Sequence, residues 1–343
     1  MELSIGLIGF GNVGKALARL IELKKDALRA QYDLNISIMG IITRTHGCAI
    51  DEHGLNISRT LEAVEQGSID RLHVGAPVPD VPTFIRRVPA DLIVENTVLN
   101  PTTGQPATDY ARLALQLKRH VVLANKGPVA FAYHELRALA EQNDCGFLFE
   151  STVMDGVPVF GLVRETLPVS EIRRIRGILN STTNSILTRM ESGMPLAEAL
   201  LEMKMAGVTE ADPSYDVDGW DAATKIAILA NVLMHANLRP VDVDRTGIGV
   251  LTVAEVQAAR QSGKAIKLIC EAVNDGGQVR ASVKPIALPL SDPMAQITGT
   301  GNIIRLETDM ISHLTIGEGE AGPATTAYGL LVDIINVARG HYR

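Results

Sequence analysis

Cysteine is scarce: 343 residues carry three, Cys48, Cys145 and Cys270, far apart and odd in number. With no CxxC pair, neither a zinc knuckle nor a disulfide framework is indicated, and a reducing, cytoplasmic setting is the expectation. Aromatic residues make up only 4%, so aliphatic side chains must fill the core. Basic residues are not in excess. A formal net charge of −7 argues against the basic face that a general nucleic-acid or membrane-surface binder uses. No apolar run approaches the length of about 18 residues that a membrane-spanning helix needs. The eight histidines show no HxxxH-type spacing, which speaks against catalytic zinc. The chain begins Met1-Glu2-Leu3-Ser4-Ile5-Gly6 and enters a strand at once, leaving no room for a signal peptide.

What is present is a globular composition, 46% hydrophobic and 21% charged, with length for two domains. Short apolar runs at 3–8, 36–42, 92–94, 121–124 and 147–149 read as buried strands. Helical patterns through Val13, Leu17, Leu20 and Ile21, and around 61–66, 108–118 and 133–142, separate most of them. Strands alternating with helices predict an α/β N-terminal Rossmann domain, a doubly wound and mostly parallel sheet, over residues 1–149. The character then changes. Residues 171–179 alternate charged and apolar, 196–206 reads as an amphipathic helix, and 221–235 as an apolar helix with two charged exceptions. Later strands are expected at 278–283 and 311–316, and Cys270 in an apolar helix. These elements predict a second, α+β domain with an open sheet over 150–317, and a last helix, 324–338, that returns to the first domain with the segment 318–343.

Gly9-Phe10-Gly11-Asn12-Val13-Gly14 is a GxGxxG loop between a strand and a helix. Gly9 permits the tight turn, Gly11 lets the backbone approach a pyrophosphate, and Gly14 lets the helix pack on the strand; the helix N-terminus then faces the phosphates. An acidic residue ending the second strand would hold the ribose hydroxyls of NAD. This chain instead reads Thr43-Arg44-Thr45-His46, and an arginine there pairs with the 2′-phosphate of NADP. NADP is therefore favoured over NAD.

Further on, Glu210, Asp212, Asp216, Asp218 and Asp221 crowd five carboxylates into twelve positions. Asp221 and Lys225 are spaced i, i+4 on one face of an otherwise apolar helix. A surface ion pair is the ordinary reading of such spacing. The apolar surroundings favour a site instead, because a charged pair is costly to bury unless it is paired and used. Glu210 or Asp221 suits the ammonium of an amino-acid substrate, and a lysine suits protonation of a carbonyl under reduction.

The segment Gly177-Ile178-Leu179-Asn180-Ser181-Thr182-Thr183-Asn184, continuing into Thr209-Glu210-Ala211-Asp212-Pro213 and Asp216-Val217-Asp218-Gly219-Trp220-Asp221-Ala222-Ala223-Thr224-Lys225, resembles the signature of the homoserine dehydrogenases. Ala124-Asn125-Lys126 and the glycine-rich stretch 317–325 resemble further motifs of that family, so the likeness covers nearly the whole chain. It implies interconversion of aspartate semialdehyde and homoserine with NADP or NAD. It also implies substrate binding by Glu210, Asp221 and Asp216, and acid/base work by Lys225 with Lys126 as a second proton relay. Phe10, Asn12, Val13, Thr97 and Lys126 would stand beside the cofactor, with Gly177 and Gly322 bordering the nicotinamide. The same resemblance implies a sodium ion held by Glu150, Val153, Asp155 and Val157, and a homodimer through the second domain. Ser181 departs from the family pattern, standing where glycine is common, and Met154-Asp155-Gly156 replaces an Ala-Gly-Gly-like run. With the chain ending at Arg343, no appended ACT domain is expected.

Two alternatives come from this reading. One is a regulator that binds NAD(P) without turnover, which would need no lysine relay. The other is a related amino-acid semialdehyde reductase. An aspartate-semialdehyde dehydrogenase fits poorly, because Cys145 and Cys270 read as core residues rather than nucleophiles.

Overall fold

The computed structural model describes residues 1–205, 213–319 and 321–342. The chain forms two compact units, Met1–Pro158 with Gly322–Arg343, and Val159–Ala321.

In the first unit, strand β1 (Glu2–Ile8) leads into α1 (Asn12–Tyr32), followed by β2 (Asn35–Ile42), β3 (Cys48–Ile50), α2 (Ile57–Glu65) and α3 (Val81–Arg87). Then come β4 (Leu92–Glu95), α4 (Ala107–Gln116), β5 (His120–Leu123), α5 (Gly127–Gln142) and β6 (Phe147–Leu148). The sheet order is β3-β2-β1-β4-β5-β6. All neighbours pair in parallel except the edge strand β3, which runs antiparallel to β2. Ile5, Leu7, Leu92, Ile93, Val94, Val121 and Val122 are fully buried. This is why the strands read as continuous apolar runs: helices cover both faces of a parallel sheet. The order reverses between β1 and β4, and such a switch point opens a crevice at the carboxyl ends of the strands. In α5 the helical period was legible only over 133–142, because Ala132 breaks the helix (φ −144°, ψ 23°).

The second unit holds α6 (Phe160–Thr166), β7 (Ile172–Ile178), α7 (Ser181–Glu191), α8 (Leu196–Met205), α9 (Ser214–Val217) and α10 (Trp220–Leu233). It continues with β8 (Asp244–Arg245), α11 (Val253–Gln261), β9 (Lys264–Asp275), β10 (Gln278–Pro289), β11 (Asn302–Thr308) and β12 (Leu314–Glu318). The sheet order is β12-β11-β7-β9-β10-β8, antiparallel throughout except for the short β8 beside β10. Cys270 therefore lies on a strand, not in the helix expected. β9 pairs on both sides, with β7 and β10, so most of its side chains are buried; a long apolar run of that kind carries no period by which strand and helix differ. The strand expected at 311–316 begins at Leu314 and ends at Glu318.

The last helix, α12 (Pro323–Ala338), packs in the first unit, where Ala327, Leu330, Leu331, Ile334 and Val337 join the core shared with Leu17 and Ile21 of α1. Its docking is close. A Cβ on Gly156 would stand 2.2 Å from Thr325 O, and one on Gly329 2.4 Å from Ser151 Oγ. No helix among the described residues is long and apolar enough to cross a membrane.

Candidate active site

The first unit gathers four segments at the carboxyl ends of its parallel strands. After β1, Gly9 takes φ +92°, and a Cβ there would stand 2.5 Å from the side-chain amide of Asn96. That amide, with its nitrogen toward the loop, donates to Gly9 O at 2.7 Å and Ile8 O at 2.8 Å. A Cβ on Gly14 would meet the same amide at 3.0 Å and Gly9 O at 3.1 Å, so helix and loop are pressed together around Asn96. Gly11 is different. It is the N-cap of α1 with no side-chain capping bond, and a Cβ on it would meet nothing within 4 Å. The space in front of a 21-residue helix is thus open, with N–H groups there unspent by the helix and a dipole that favours an anion. Phe10 is buried, Val13 half-buried, and Gly11 and Asn12 exposed.

The end of β2 lies beside this loop, since Gly9 N donates to Ile42 O at 2.9 Å. Arg44, exposed, follows it. After β4, Thr97 donates through its N–H to Glu95 Oε1 at 3.0 Å and through its hydroxyl to the same oxygen. After β5, Asn125 Nδ2 donates to Thr97 Oγ1 at 3.2 Å while its Oδ1 accepts from Gly127 N at 2.9 Å. Lys126 forms the N-cap of α5, half-buried. Open helix end, exposed arginine and polar strand ends suit a dinucleotide phosphate. Glu95 and Asn125, which hold Thr97, were given no role from sequence, although Asn125 stands in the Ala124-Asn125-Lys126 motif, because a carboxylate and an amide at the ends of different strands carry no spacing signal.

The second unit builds its site at the end of β7. Asn180 caps α7, its Oδ1 accepting from Thr183 N at 2.8 Å. Its Nδ2 donates to Asp216 Oδ1 at 2.7 Å and to Asp221 Oδ2 at 2.9 Å. Gly219, at φ +81°, turns the chain into α10 and brings Asp221 into that helix's first turn. Lys225, one turn on, places Nζ 3.5 Å from Asp221 Oδ2 and donates to Leu179 O at 2.6 Å. Both side chains are nearly enclosed, 13% and 10% exposed. Burial raises the Asp216 pKa above the ordinary carboxylate value, the Asp221 charge raises it further, and Asn180, Lys225 and Thr182 oppose the rise. The cluster thus gathers two carboxylates, an amide and an ammonium among the described residues.

The structure thus brings together Asp216, Asp221 and Lys225 through Asn180, a residue present in the signature but given no role from sequence. Asp218 is exposed. Glu210 and Asp212 lie outside the described residues. At the same end of the sheet, Asn302 Nδ2 donates to Ser181 Oγ at 2.9 Å and to Glu318 Oε2 at 3.1 Å. Gly177 has a structural reason within the sheet itself: a Cβ there would stand 2.4 Å from Ile303 O. Gly322 precedes α12 with extended backbone and open space around it.

The sequence-predicted sodium loop packs on α12. Asp155 takes φ +46° and spends both oxygens at the head of that helix. Oδ2 accepts from Gly322 N at 2.9 Å and Oδ1 from Thr326 Oγ1 at 3.0 Å. Glu150 is buried, its N–H donating to Asp333 Oδ2 at 2.8 Å. Val153 is buried and Val157 half-buried. Among the described residues, no three His, Cys, Asp or Glu side chains converge on a metal position. Cys48, Cys145 and Cys270 are free and buried; burial pushes the thiols of Cys48 and Cys270 up to about 12, the opposite of a nucleophile.

Known proteins agree with this division. Residues 9–150 match the family model described as the homoserine dehydrogenase NAD-binding domain, and 158–335 the homoserine dehydrogenase model. An NAD(+)-dependent homoserine dehydrogenase of Pseudomonas canavaninivorans is 36% identical over 98% of this chain and 96% of its own. A solved homoserine dehydrogenase candidate from Archaeoglobus fulgidus superposes with a TM-score of 0.86 at 30% identity, covering 98% of this chain and 99% of that one. A hyperthermophilic archaeal homoserine dehydrogenase in complex with NADPH gives 0.83 at 28% identity, covering 99% and 98%. The matched models and the near-complete coverage together show that this chain belongs to the homoserine dehydrogenase family.

Proposed function

We propose that this chain catalyses the reversible NAD(P)-dependent reduction of L-aspartate 4-semialdehyde to L-homoserine, a step in threonine, methionine and isoleucine biosynthesis. The observation that carries the reading is the enclosed Asp216–Asn180–Asp221 cluster with Lys225 in its reach. The two carboxylates suit a substrate ammonium, with Glu210 as a further partner. Lys225, oriented by Asp221 and Leu179 O, stabilises the oxygen that becomes an alkoxide and gives it a proton, Lys126 serving as a second relay. The reduced cofactor supplies the hydride to the aldehyde carbon when bound. The first unit is the dinucleotide domain, its open α1 terminus receiving the pyrophosphate while Phe10, Asn12, Val13, Thr97 and Lys126 flank the cofactor. Gly177 and Gly322 border the nicotinamide in the same reading. The second unit binds substrate and carries the interface of a homodimer, which light scattering tests. The free, buried cysteines suit a cytoplasmic protein.

NADP is the favoured cofactor, on Arg44; the name of the Pseudomonas relative keeps NAD as the second reading. A sodium ion at the 150–157 loop would draw on the carbonyls of Val153 and Val157 and on Glu150. Asp155 already serves α12, and its share in such a site would be the smaller one. Initial rates with homoserine and with NAD or NADP, followed by absorbance of the reduced cofactor, test the whole reading. No reduction with either would refute it in favour of a non-catalytic NAD(P)-binding regulator, and faster turnover of another amino-acid alcohol would redirect it to a related semialdehyde reductase.

A further inference from the structure

We propose that Glu95 is a positioning residue for the dinucleotide: its carboxyl sets the direction of the Thr97 hydroxyl, and so whether that hydroxyl can donate to the ligand. The inference rests on reading the strand ends of the first unit as the cofactor site.

Glu95 closes β4 and is wholly inaccessible, 0% exposed. Its Oε1 accepts both Thr97 donors, the N–H at 3.0 Å and the hydroxyl. Its Oε2 has no hydrogen-bond partner among the described residues. Thr97 Oγ1 in turn accepts from Asn125 Nδ2 at 3.2 Å, and Asn125 Oδ1 accepts from Gly127 N at 2.9 Å. The bonds therefore run one way, from the head of α5 through Asn125 and Thr97 to a buried carboxylate. β1 and β5 contribute Ile8 and Leu123 opposite Glu95. Of the titratable groups on the neighbouring helices, Tyr110 of α4 feels the Glu95 charge; Lys126 stands at the head of α5.

The chain has two directions. With Glu95 ionised, the Thr97 proton points inward, and toward solvent Thr97 offers only an acceptor. With Glu95 neutral, its proton finds no acceptor at Oε2 and only Thr97 Oγ1 at Oε1. Thr97 Oγ1 then receives bonds from both Glu95 and Asn125, and its own proton turns outward. Phosphate oxygens and a carboxamide carbonyl accept and do not donate. The neutral state is thus the one that holds a dinucleotide. Burial is the chief cause that raises the Glu95 pKa to about 7, against the Thr97 and Asn125 bonds that lower it. Both states are therefore within reach near neutrality.

The test is titration of the full chain with NADPH, and in parallel NADH, by nicotinamide fluorescence on both sides of pH 7. The wild-type Kd should rise by up to about tenfold per pH unit above the Glu95 pKa. Glu95→Gln, neutral at every pH and able to donate to Thr97, should bind tightly with that dependence removed. Thr97→Val keeps the Glu95 charge and lacks the hydroxyl; it should bind more weakly and lose the slope. A Glu95→Gln profile that follows wild type overturns the proposal. A slope that survives in Thr97→Val overturns it too, leaving charge repulsion alone. If the wild-type chain bound neither nucleotide, the cofactor-site reading itself would fall, and this inference with it.

Discussion

Lys225 stands one helical turn beyond Asp221, its Nζ 3.5 Å from Asp221 Oδ2 and within hydrogen-bond distance of Leu179 O at 2.6 Å. A pair spaced this way on an exposed helix would contribute only a few tenths of a kcal/mol. Here both side chains are nearly enclosed and a backbone carbonyl fixes the ammonium, which fits the proposed proton-transfer role better than a part in helix stability. Lys225→Met should lower kcat for homoserine oxidation by about 10²- to 10⁴-fold, the range of a lost general acid–base group. The homoserine KM should change far less, and the circular dichroism spectrum should stay that of the wild type. A variant that kept full turnover would remove Lys225 from the chemistry and leave the fold assignment untouched.

Asp216 is held in its ionised form against its surroundings. Burial and the neighbouring Asp221 raise its folded-state pKa above the ordinary 3.8. A group raised in this way contributes stability that is fully present below its unfolded pKa and lost as pH rises through the folded value. At neutral pH the ionised Asp216 therefore costs stability. Asp216→Asn keeps an acceptor for Asn180 and removes that charge. It should raise the thermal midpoint at pH 7 by a few degrees, with the difference closing as pH falls below 3.8. The same variant should bind homoserine more weakly. Equal midpoints at neutral pH would mean that Asn180 and Lys225 fully offset the burial.

The parallel sheet was legible because burial on both faces leaves continuous apolar runs punctuated by helices of clear period, as in Leu92–Glu95 and His120–Leu123. β9 was not: a twelve-residue strand, mostly buried around Cys270, fits strand and helix alike until the pairing partners on both sides are known. β11, Asn302–Thr308, was passed over because its Arg305 and Glu307 interrupt an otherwise short apolar run. In the site, the motif spacing exposed Asp221 and Lys225 because a charged pair in an apolar helix is anomalous. Asn180 escaped for the opposite reason. Its amide joins residues 36 and 41 positions away, and sequence patterns do not register bonds of that range. Asp155 was visible as a carboxylate, yet its partners on α12 lie 167 and 171 positions on.

That last contact separates two roles for Asp155. As a cap of α12, its loss should cost about 0.5–2 kcal/mol. Asp155→Ala should therefore lower the thermal midpoint equally in sodium and in choline buffers. The response of activity to sodium, where the wild type has one, should persist in the variant. If the midpoint loss appeared only in sodium, the carboxylate would be an ion ligand first and a cap second.

The proposed preference for NADP rests on Arg44. It follows β2 at the rim of the glycine loop, exposed, and the turn that carries it is held by its neighbours: Thr43 Oγ1 accepts from His46 N at 2.7 Å. Asp70, beside the turn at Gly47, accepts from Cys48 N at 2.8 Å and Ser68 Oγ at 2.9 Å. A Cβ on Gly47 would collide with it. No acid in the turn 43–46 is thus on hand for the ribose hydroxyls of NAD, whereas the guanidinium is on hand for a 2′-phosphate. A charge-assisted hydrogen bond of about 1.5–3 kcal/mol corresponds to about a 10- to 100-fold change in affinity. Arg44→Ala should raise the NADP KM by that factor and leave the NAD KM nearly as it was, with kcat changed little for either. Equal losses for both cofactors would show that Arg44 does not read the phosphate, and a wild-type chain that prefers NAD outright would place the selectivity elsewhere in the loop.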